Sequence, residues 1–519
     1  MGGTREEYMM NFKRASGILL HPTSLPGGFG IGDIGPEAVR FADFLKETGQ
    51  RLWQILPLGP TSYGDSPYQS PSTFAGNPLW ISPDWLKEDG LLEEGDLAAY
   101  PKFGDERVDF GAVMAAKGEL LKKACARFAE KAKAGSALRK SWEAFCEEHA
   151  DWLEDYALFA ALKDAHGGAP WTTWERELAK REPSALSAAR EAHAEAVRNV
   201  KIVQFLFDLQ WRRLRGACAE RGIKLIGDIP IFVAHDSADT WGNPGLFFLK
   251  DDGTPSVVAG VPPDYFSRTG QLWGNPLYDW AAHEANGYDW WVARLKRVLS
   301  LVDIVRIDHF RGFEAYWEIP GGETTAINGH WVKGPAEKLF DVLKARMGEL
   351  PIIAEDLGLI TPEVVALREH CGFPGMRILQ FAFGNDDRAA EFRPESYPRN
   401  CVVYTGTHDN DTTVGWFNSE SGKGSTRSQE EIDAERRMIL DYLHTDGHEI
   451  AWDLIELGAR SNADTFVMPM QDVLELGSEA RMNTPGLAAG NWQWRFKWEQ
   501  VDEARKARLA HITRATGRL

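Results

Sequence analysis

The stretch Val302–Phe313, VDIVRIDHFRGF, runs from β-branched apolar residues into a polar cluster, and it decides the fold. Its apolar half predicts a buried strand. Arg306 and Asp308 lie two positions apart, so their side chains point to the same side of that strand. An arginine beside a carboxylate favours the ionised form, and an ionised aspartate at a strand end can act as a nucleophile. A purely structural Arg–Asp ion pair accounts for the same two residues equally well.

Two further stretches have the same design. Pro351–Gly358 (PIIAEDLG) is a short apolar strand that runs into Glu355, and Cys401–Asp411 (CVVYTGTHDND) is one that runs into Asp409. In a parallel barrel, the carboxyl ends of the strands lie on one face, where active sites are built. We therefore expect Asp308 and these two acids to lie close together.

Strand and helix patterns alternate along the whole chain. The eight strand candidates are 17–21, 52–57, 223–229, 302–307, 351–354, 377–383, 401–405 and 465–470. Eight βα units predict an α/β fold, a closed (β/α)8 TIM barrel that forms one catalytic domain over residues 1–519. Such a barrel needs about 250 residues, so large insertions are expected. We predict a helical subdomain at 62–221, between strands two and three, and a lid-type loop at 240–280.

The composition of the chain excludes some classes of binding partner and favours others. The net charge of −18 argues against nucleic-acid and anionic membrane partners. Several of the 20 tryptophans stand in Gly/Pro-rich stretches, where flat rings offer platforms for sugars. The five cysteines lack CxxC spacing, which predicts reduced thiols, no zinc site and a cytoplasmic location. We find no secretion signal and no apolar run long enough to span a membrane.

The three acids suit the cleavage of a glycosidic bond, which needs one ionised carboxylate and one protonated carboxylic acid. Asp308 fits the ionised role because Arg306 supports its charge. Glu355 fits the acid because nearby carboxylates raise its pKa. Asp409 and His408 are expected to hold sugar hydroxyls. Carboxyl groups about 5–5.5 Å apart imply a covalent intermediate and retention of configuration.

Six motifs together resemble one family. They are SPYQSPS at 66–72, GDIPIFV at 227–233, DYFSRTGQLWGNPLY at 264–278, RIDHFRGF at 306–313, IAEDLG at 353–358 and GTHDNDT at 406–412. Each is weak alone, but their combination and order are specific. The sequence resembles glycoside hydrolase family 77, the amylomaltases or 4-α-glucanotransferases (disproportionating enzymes) of the α-amylase clan. The resemblance covers nearly the whole chain.

The resemblance implies a role for each site residue. Asp308 is expected to be the nucleophile, Glu355 the general acid/base and Asp409 the stabiliser of the transition state. The positions that match substrate-binding residues of the family are Ser66, Tyr68, Asp228, Gln271, Trp273, Arg306 and His408. The family uses no cofactor, so none is expected, nor a metal. The expected partners are α-1,4-glucans, such as maltodextrins and fragments of starch or glycogen, with glucose as an acceptor.

Three alternatives stay open at this point. The same acids can serve as magnesium ligands in a barrel lyase or isomerase, although no catalytic lysine is evident at a strand end. An α-glucan hydrolase can use the same scaffold. A maltodextrin-binding protein that lost its chemistry is a third alternative, but binding alone does not require three clustered acids.

Overall fold

The computed structural model describes residues 14–263, 267–384, 388–422 and 427–519. Within these ranges the chain forms twelve strands, which in chain order are β1 Ala15–Leu19, β2 Leu52–Gln54, β3 Lys224–Pro230, β4 Val257–Val261, β5 Gln271–Pro276, β6 Ile304–Asp308, β7 Ala315–Pro320, β8 His330–Lys333, β9 Ile352–Ala354, β10 Gly375–Ile378, β11 Cys401–Tyr404 and β12 Thr465–Pro469.

The helices of the same ranges follow a similar order. They are α1 Pro36–Glu47, α2 Pro83–Glu88, α3 Glu94–Ala98, α4 Phe110–Lys131, α5 Ala137–Glu148, α6 Ala150–Ala165, α7 Arg176–Ala179, α8 Pro183–Ala192, α9 Ala194–Glu220, α10 Ala238–Gly242, α11 Trp280–Ala285, α12 Asp289–Leu301, α13 Glu337–Met347, α14 Pro362–Cys371, α15 Thr413–Phe417, α16 Gln429–Leu443, α17 Ile450–Arg460, α18 Met470–Val473 and α19 Glu503–Ala515. Short 3-10 turns connect several of them.

Eight of the strands form a parallel barrel in the order β10-β11-β12-β1-β2-β3-β6-β9. Its first and last strands in the chain are hydrogen-bonded neighbours, with Ala15 opposite Thr465. The gap between β9 and β10 is bridged where Ala354 N–H donates to Pro374 O at 2.9 Å. The predicted (β/α)8 barrel is thereby confirmed, because repeated βα units with apolar strands bury a parallel sheet on both faces.

Two predicted strands are wrong in their extent, and the first of them, predicted at 52–57, ends at Gln54. The apolar run 377–383 was expected to be a strand throughout, but β10 ends at Ile378 and a 3-10 turn, Leu379–Phe381, follows it. A continuous apolar run reports burial and does not separate a strand from a buried turn. The run is nevertheless buried over most of its length, so its apolar composition reports burial of the side chains and not a strand conformation of the backbone.

The long connection between β2 and β3 starts with an irregular stretch and continues through helices α2 to α9. Helix α9 has two packing partners along its length. Phe205 contacts Phe128 of α4 and Phe145 of α5, whereas the Trp211 indole N–H donates to Leu301 O of the barrel helix α12 at 2.9 Å. The C-terminal half of α9 therefore packs against the barrel, and its earlier part packs against helices α4 and α5 of the insertion.

The segment 240–280 was predicted to be a lid-type loop, but much of it is regular. The last three residues of helix α10 and the whole of β4 and β5 lie within it. Strands β4 and β5 join β7 and β8 in an antiparallel sheet of order β5-β4-β7-β8. Pairing with β7 supplies hydrogen bonds to β4, which local sequence does not reveal. Asp264, Tyr265 and Phe266 of the predicted lid lie outside the described residues.

Candidate active site

Four barrel strands deliver acidic side chains to one end of the barrel. Asp228 stands opposite Arg306 in the pairing of β3 with β6, and Asp308 is the last residue of β6. Glu355 directly follows β9, and Asp409 lies a few residues beyond β11. The four positions lie towards the carboxyl ends of parallel strands: Asp308 ends β6, Glu355 and Asp409 follow β9 and β11, and Asp228 lies two residues before the end of β3.

Arg306 connects two of these carboxylates. Its Nη1 donates to both carboxylate oxygens of Asp228, at 2.9 and 2.7 Å, and its Nη2 donates to Asp308 Oδ1 at 2.9 Å. The Arg306 side chain is 4% exposed and that of Asp228 is 0% exposed, whereas that of Asp308 is 31% exposed. Asp308 is therefore the carboxylate of this group that a ligand can reach.

Asp228 is a buried carboxylate that holds other side chains of the site in place. Tyr68 O–H donates to Asp228 Oδ2 at 2.8 Å, and the Tyr68 ring stacks on His408 with centroids 5.2 Å apart. Burial raises the pKa of Asp228, and the Arg306 guanidinium acts against that shift. Since Asp228 has no exposed surface, it positions Arg306 and Tyr68 rather than presenting an oxygen to the groove.

Glu355 is buried and held at both oxygens. His309 N–H donates to Oε2 at 2.7 Å, and Leu357 N–H donates to Oε1 at 2.8 Å. Burial, followed by the charge of Asp308, raises the pKa of Glu355 to about 8, while Arg306 and the two backbone N–H groups act in the opposite direction. At pH 7 the protonated form of Glu355 therefore predominates.

His309 adopts a left-handed backbone with φ of 54°. This conformation is unfavourable for a residue other than glycine, and it turns the His309 N–H towards Glu355 immediately after the strand that carries Asp308. The imidazole is buried, which lowers its pKa to about 3, so the ring is neutral. Trp273 of β5 packs edge-on against it, with centroids 4.8 Å apart.

Asp409 lies on the other side of the site, 45% exposed, with its Oδ2 3.4 Å from His408 Nε2. Asn483 Nδ2 donates to Asp409 Oδ1 at 2.6 Å, and Arg481 Nη2 donates to the Asp409 carbonyl at 2.7 Å. Sequence reasoning missed Asn483 and Arg481. Both residues stand in the Gly/Pro-containing connection after β12, and that sequence context alone does not distinguish them from residues of an ordinary surface turn.

The remaining predicted residues lie around this centre. Trp273 Nε1 donates to Gln271 Oε1 at 3.1 Å, and Gln271 is exposed at the start of β5. Ser66 Oγ accepts from Tyr68 N–H at 3.2 Å, so Ser66 is joined to the site through the Tyr68 backbone. The structure thus brings the ten predicted residues to one end of the barrel.

This arrangement supplies the two ionisation states that glycosidic bond cleavage needs: a reachable carboxylate paired with an arginine, and a buried, protonated carboxylic acid. Over residues 14–263, 267–384, 388–422 and 427–519, no group of three or more His, Cys, Asp or Glu side chains is placed to hold a metal ion. No helix in the same ranges is long and apolar enough to cross a membrane.

Comparison with known proteins gives consistent results. A family model described as 4-alpha-glucanotransferase matches residues 20–501. The 4-alpha-glucanotransferase of Thermus thermophilus is 52% identical over 514 residues, covering 98% of this chain and all of that protein. The Synechocystis sp. 4-alpha-glucanotransferase is 49% identical, covering 98% of each chain. The amylomaltase of Streptococcus agalactiae, solved in complex with acarbose, is 38% identical, covers 98% of this chain and 100% of that one, and superposes with a TM-score of 0.91.

Proposed function

We propose a double-displacement mechanism for this chain, which belongs to the 4-alpha-glucanotransferase family, glycoside hydrolase family 77, and is thus an enzyme of the glycosyltransferase type. The observation that carries the mechanism is the pairing of a reachable Asp308, held by Arg306, with a buried Glu355 whose pKa is raised to about 8. The substrates we infer are α-1,4-glucans such as maltodextrins, with glucose or a glucan as the acceptor.

The first step transfers part of the donor glucan to the enzyme. The Asp308 carboxylate attacks the anomeric carbon, and the bond from that carbon to the glycosidic oxygen breaks. Glu355 donates its proton to this oxygen, so the departing chain leaves with a free 4-hydroxyl group. The other part of the donor remains as a glycosyl ester on Asp308.

The second step reverses the roles. Glu355, now ionised, takes the proton from the 4-hydroxyl of an acceptor sugar as its oxygen attacks the anomeric carbon of the ester. Asp308 leaves as a carboxylate and Glu355 regains its proton. Two inversions at one carbon retain the α-configuration, and no cofactor enters the balance.

The surrounding residues bind the sugar at the donor side. Asp409, oriented by Asn483 and His408, accepts hydrogen bonds from sugar hydroxyls and favours the distorted ring of the oxocarbenium-like transition state. Arg306, Tyr68 and His408 complete this subsite, and Ser66 extends it through the neighbouring backbone. Asp228 contributes by holding Arg306 and Tyr68 in place.

Gln271 and Trp273 are assigned to the acceptor side. They lie on β5, and Trp273 contacts His309, whose N–H holds Glu355. A sugar stacked on Trp273 would therefore lie close to the acid/base.

The five cysteines have no disulfide partners, and this supports a location in the reducing cytoplasm.

Incubation with pure maltotriose tests the proposal. Transfer gives glucose and longer maltodextrins while the total number of reducing ends stays constant, because each cleaved bond is replaced by a new one. Hydrolysis gives one new reducing end per cleaved bond. A glucose assay run beside a reducing-end assay separates the two, with the Asp308→Asn variant as the inactive control. One new reducing end for each released glucose would make the protein a hydrolase.

A further inference from the structure

A second cavity lies apart from the catalytic acids, between the helical insertion and the barrel. Helix α6, helix α10 and the first turns of α12 form its walls, and it encloses about 270 Å³. Small-molecule sites typically span about 300–1,000 Å³, so this cavity is just smaller than that range. Its volume suits one or two sugar rings rather than a long chain.

Aromatic and polar side chains share its lining. Trp152, Tyr156 and Trp290 supply ring surface, and the amides of Asn243 and Asn286 supply both donors and acceptors. Each of the two tryptophans also has a buried indole N–H for which no described residue provides an acceptor. Flat rings next to amides form the kind of surface on which the apolar face and the hydroxyl groups of a sugar are both satisfied.

Asp239 is a buried carboxyl group in the lining. It is only 3% exposed, and its Oδ2 accepts the Thr73 N–H at 2.8 Å. Within the described chain no basic side chain pairs with it, and Arg294 acts on it only from beyond ion-pair distance. A buried carboxyl group without a cation is costly unless donors are supplied. The backbone N–H groups of Thr73 and of Asp239 itself supply two, and the hydroxyl groups of a ligand in this cavity can supply more.

The lining also excludes other ligand classes. Four aspartates and no basic residue line the cavity. Arg181 and Arg190 pair with Asp155, and Arg346 pairs with Asp289, but no described basic residue forms an ion pair with Asp151 or Asp239, so the lining disfavours an anion. Over the described residues these carboxylates are not clustered in a group that could hold a metal ion. A neutral ligand rich in hydroxyl groups remains.

We propose that this cavity is a second carbohydrate site, which binds one or two glucose units outside the catalytic groove. The choice of glucose units rests on the proposed function, since the maltodextrins and glucose of that reaction are then present throughout turnover. The cavity also touches the stretch that carries Tyr68: Ser72 lines it, and the next residue, Thr73, donates to Asp239. Bound sugar would therefore contact the segment that enters the donor side.

Fluorine NMR on the full chain labelled with 5-fluorotryptophan tests the site directly. The Asp308→Asn variant is titrated with maltose, which it cannot turn over, and Trp→Phe variants assign the signals of Trp290 and Trp273. We expect the Trp290 signal to titrate with a dissociation constant of its own, different from that of Trp273. A Trp290 signal that is unmoved by maltose, or that titrates only together with Trp273, overturns the proposal.

Substitutions then locate the binding. Ala293 lines the cavity from α12, so Ala293→Phe fills it, and we expect the Trp290 response to weaken at least tenfold while the Trp273 response persists. Asp289→Asn removes a carboxylate from the lining and also breaks its 2.6 Å ion pair with Arg346. Arg346→Gln is the control, because it breaks the same ion pair but leaves the Asp289 carboxylate in the lining. Only the Asp289 variant should weaken the Trp290 response. The proposed site is refuted if Asp289→Asn and Arg346→Gln change the Trp290 response equally, or if Ala293→Phe leaves it unchanged. The maltotriose assay tests the proposed function independently of this result.

Discussion

Asn483 is expected to be a positioning residue for Asp409, and Asn483→Ala is the change that tests it. The substitution removes the 2.6 Å hydrogen bond from Nδ2 to Asp409 Oδ1 and leaves the backbone bond from Asn483 N–H to His408 O available. Asp409 would then be free to rotate away from the position in which we propose that it binds the sugar.

The structure sets the size of the effect. Hydrogen bonds to charged groups contribute about 1.5–3 kcal/mol. Asp409 is 45% exposed, so water replaces part of the lost bond and the lower half of that range applies. Since each 1.36 kcal/mol is tenfold in rate, a loss of about 1.5–2 kcal/mol predicts a fall of about 10- to 30-fold in kcat/KM. Most of it should appear in kcat, because the proposed role of Asp409 is to act on the distorted ring of the transition state.

The assay is initial-rate release of glucose from maltotriose. Ser478→Ala is the matched control, since Ser478 lies in the same connection and its Oγ donates to the neighbouring Asp411 at 2.7 Å. Asn483→Asp, which keeps the shape but places a second carboxylate beside Asp409, should be worse than Asn483→Ala at pH 7 and should recover at acidic pH. An activity of Asn483→Ala within twofold of wild type, or equal losses in Asn483→Ala and Ser478→Ala, would refute the reasoning.

Four further outcomes are expected. Asp308→Asn abolishes turnover with circular dichroism and glucan binding unchanged, because an amide cannot form the ester; near-normal turnover removes Asp308 from that role. The pKa of Glu355, about 8, places the alkaline limb of kcat/KM near pH 8, since activity needs the protonated acid, and a flat profile to pH 9 contradicts this. Glu355→Gln spares the first step with a glycosyl fluoride, whose leaving group needs no proton, and mass spectrometry should find the adduct on Asp308. Trp273→Ala raises the share of hydrolysis, measured as reducing ends per glucose released, because an oriented acceptor outcompetes water through effective molarities on the order of 10⁵ M; an unchanged ratio removes Trp273 from acceptor binding.

The barrel and its acids were predictable from local sequence. Each of Asp308, Glu355 and Asp409 follows a short apolar run, and period and composition suffice to recognise such a strand. Parallel topology then places their carboxyl ends together without any knowledge of long-range contacts. The positions of the eight barrel strands followed for the same reason.

The antiparallel sheet was not predictable in the same way. Local sequence gives no indication of β7 and β8, and it predicts a loop where β4 and β5 lie. Gly260 pairs with Leu272, 12 residues further along the chain, on one side and with Trp317, 57 residues further, on the other. Such pairings depend on contacts that no local pattern encodes. Asn483 was missed for a related reason: a polar residue near Gly and Pro resembles any surface turn.

The pairing of β1 with β12 has a consequence for how the chain is made. Residues 15 and 465 are neighbours in the barrel, yet about 450 residues separate them. At about 5–20 residues per second, a ribosome needs on the order of 20–90 s to bridge that distance. Throughout this interval β1 has only β2 beside it, and its other edge remains without a partner in the growing chain. Closure of the barrel is therefore a late event of biosynthesis, and the emerging polypeptide has an open strand edge of the kind that chaperones protect.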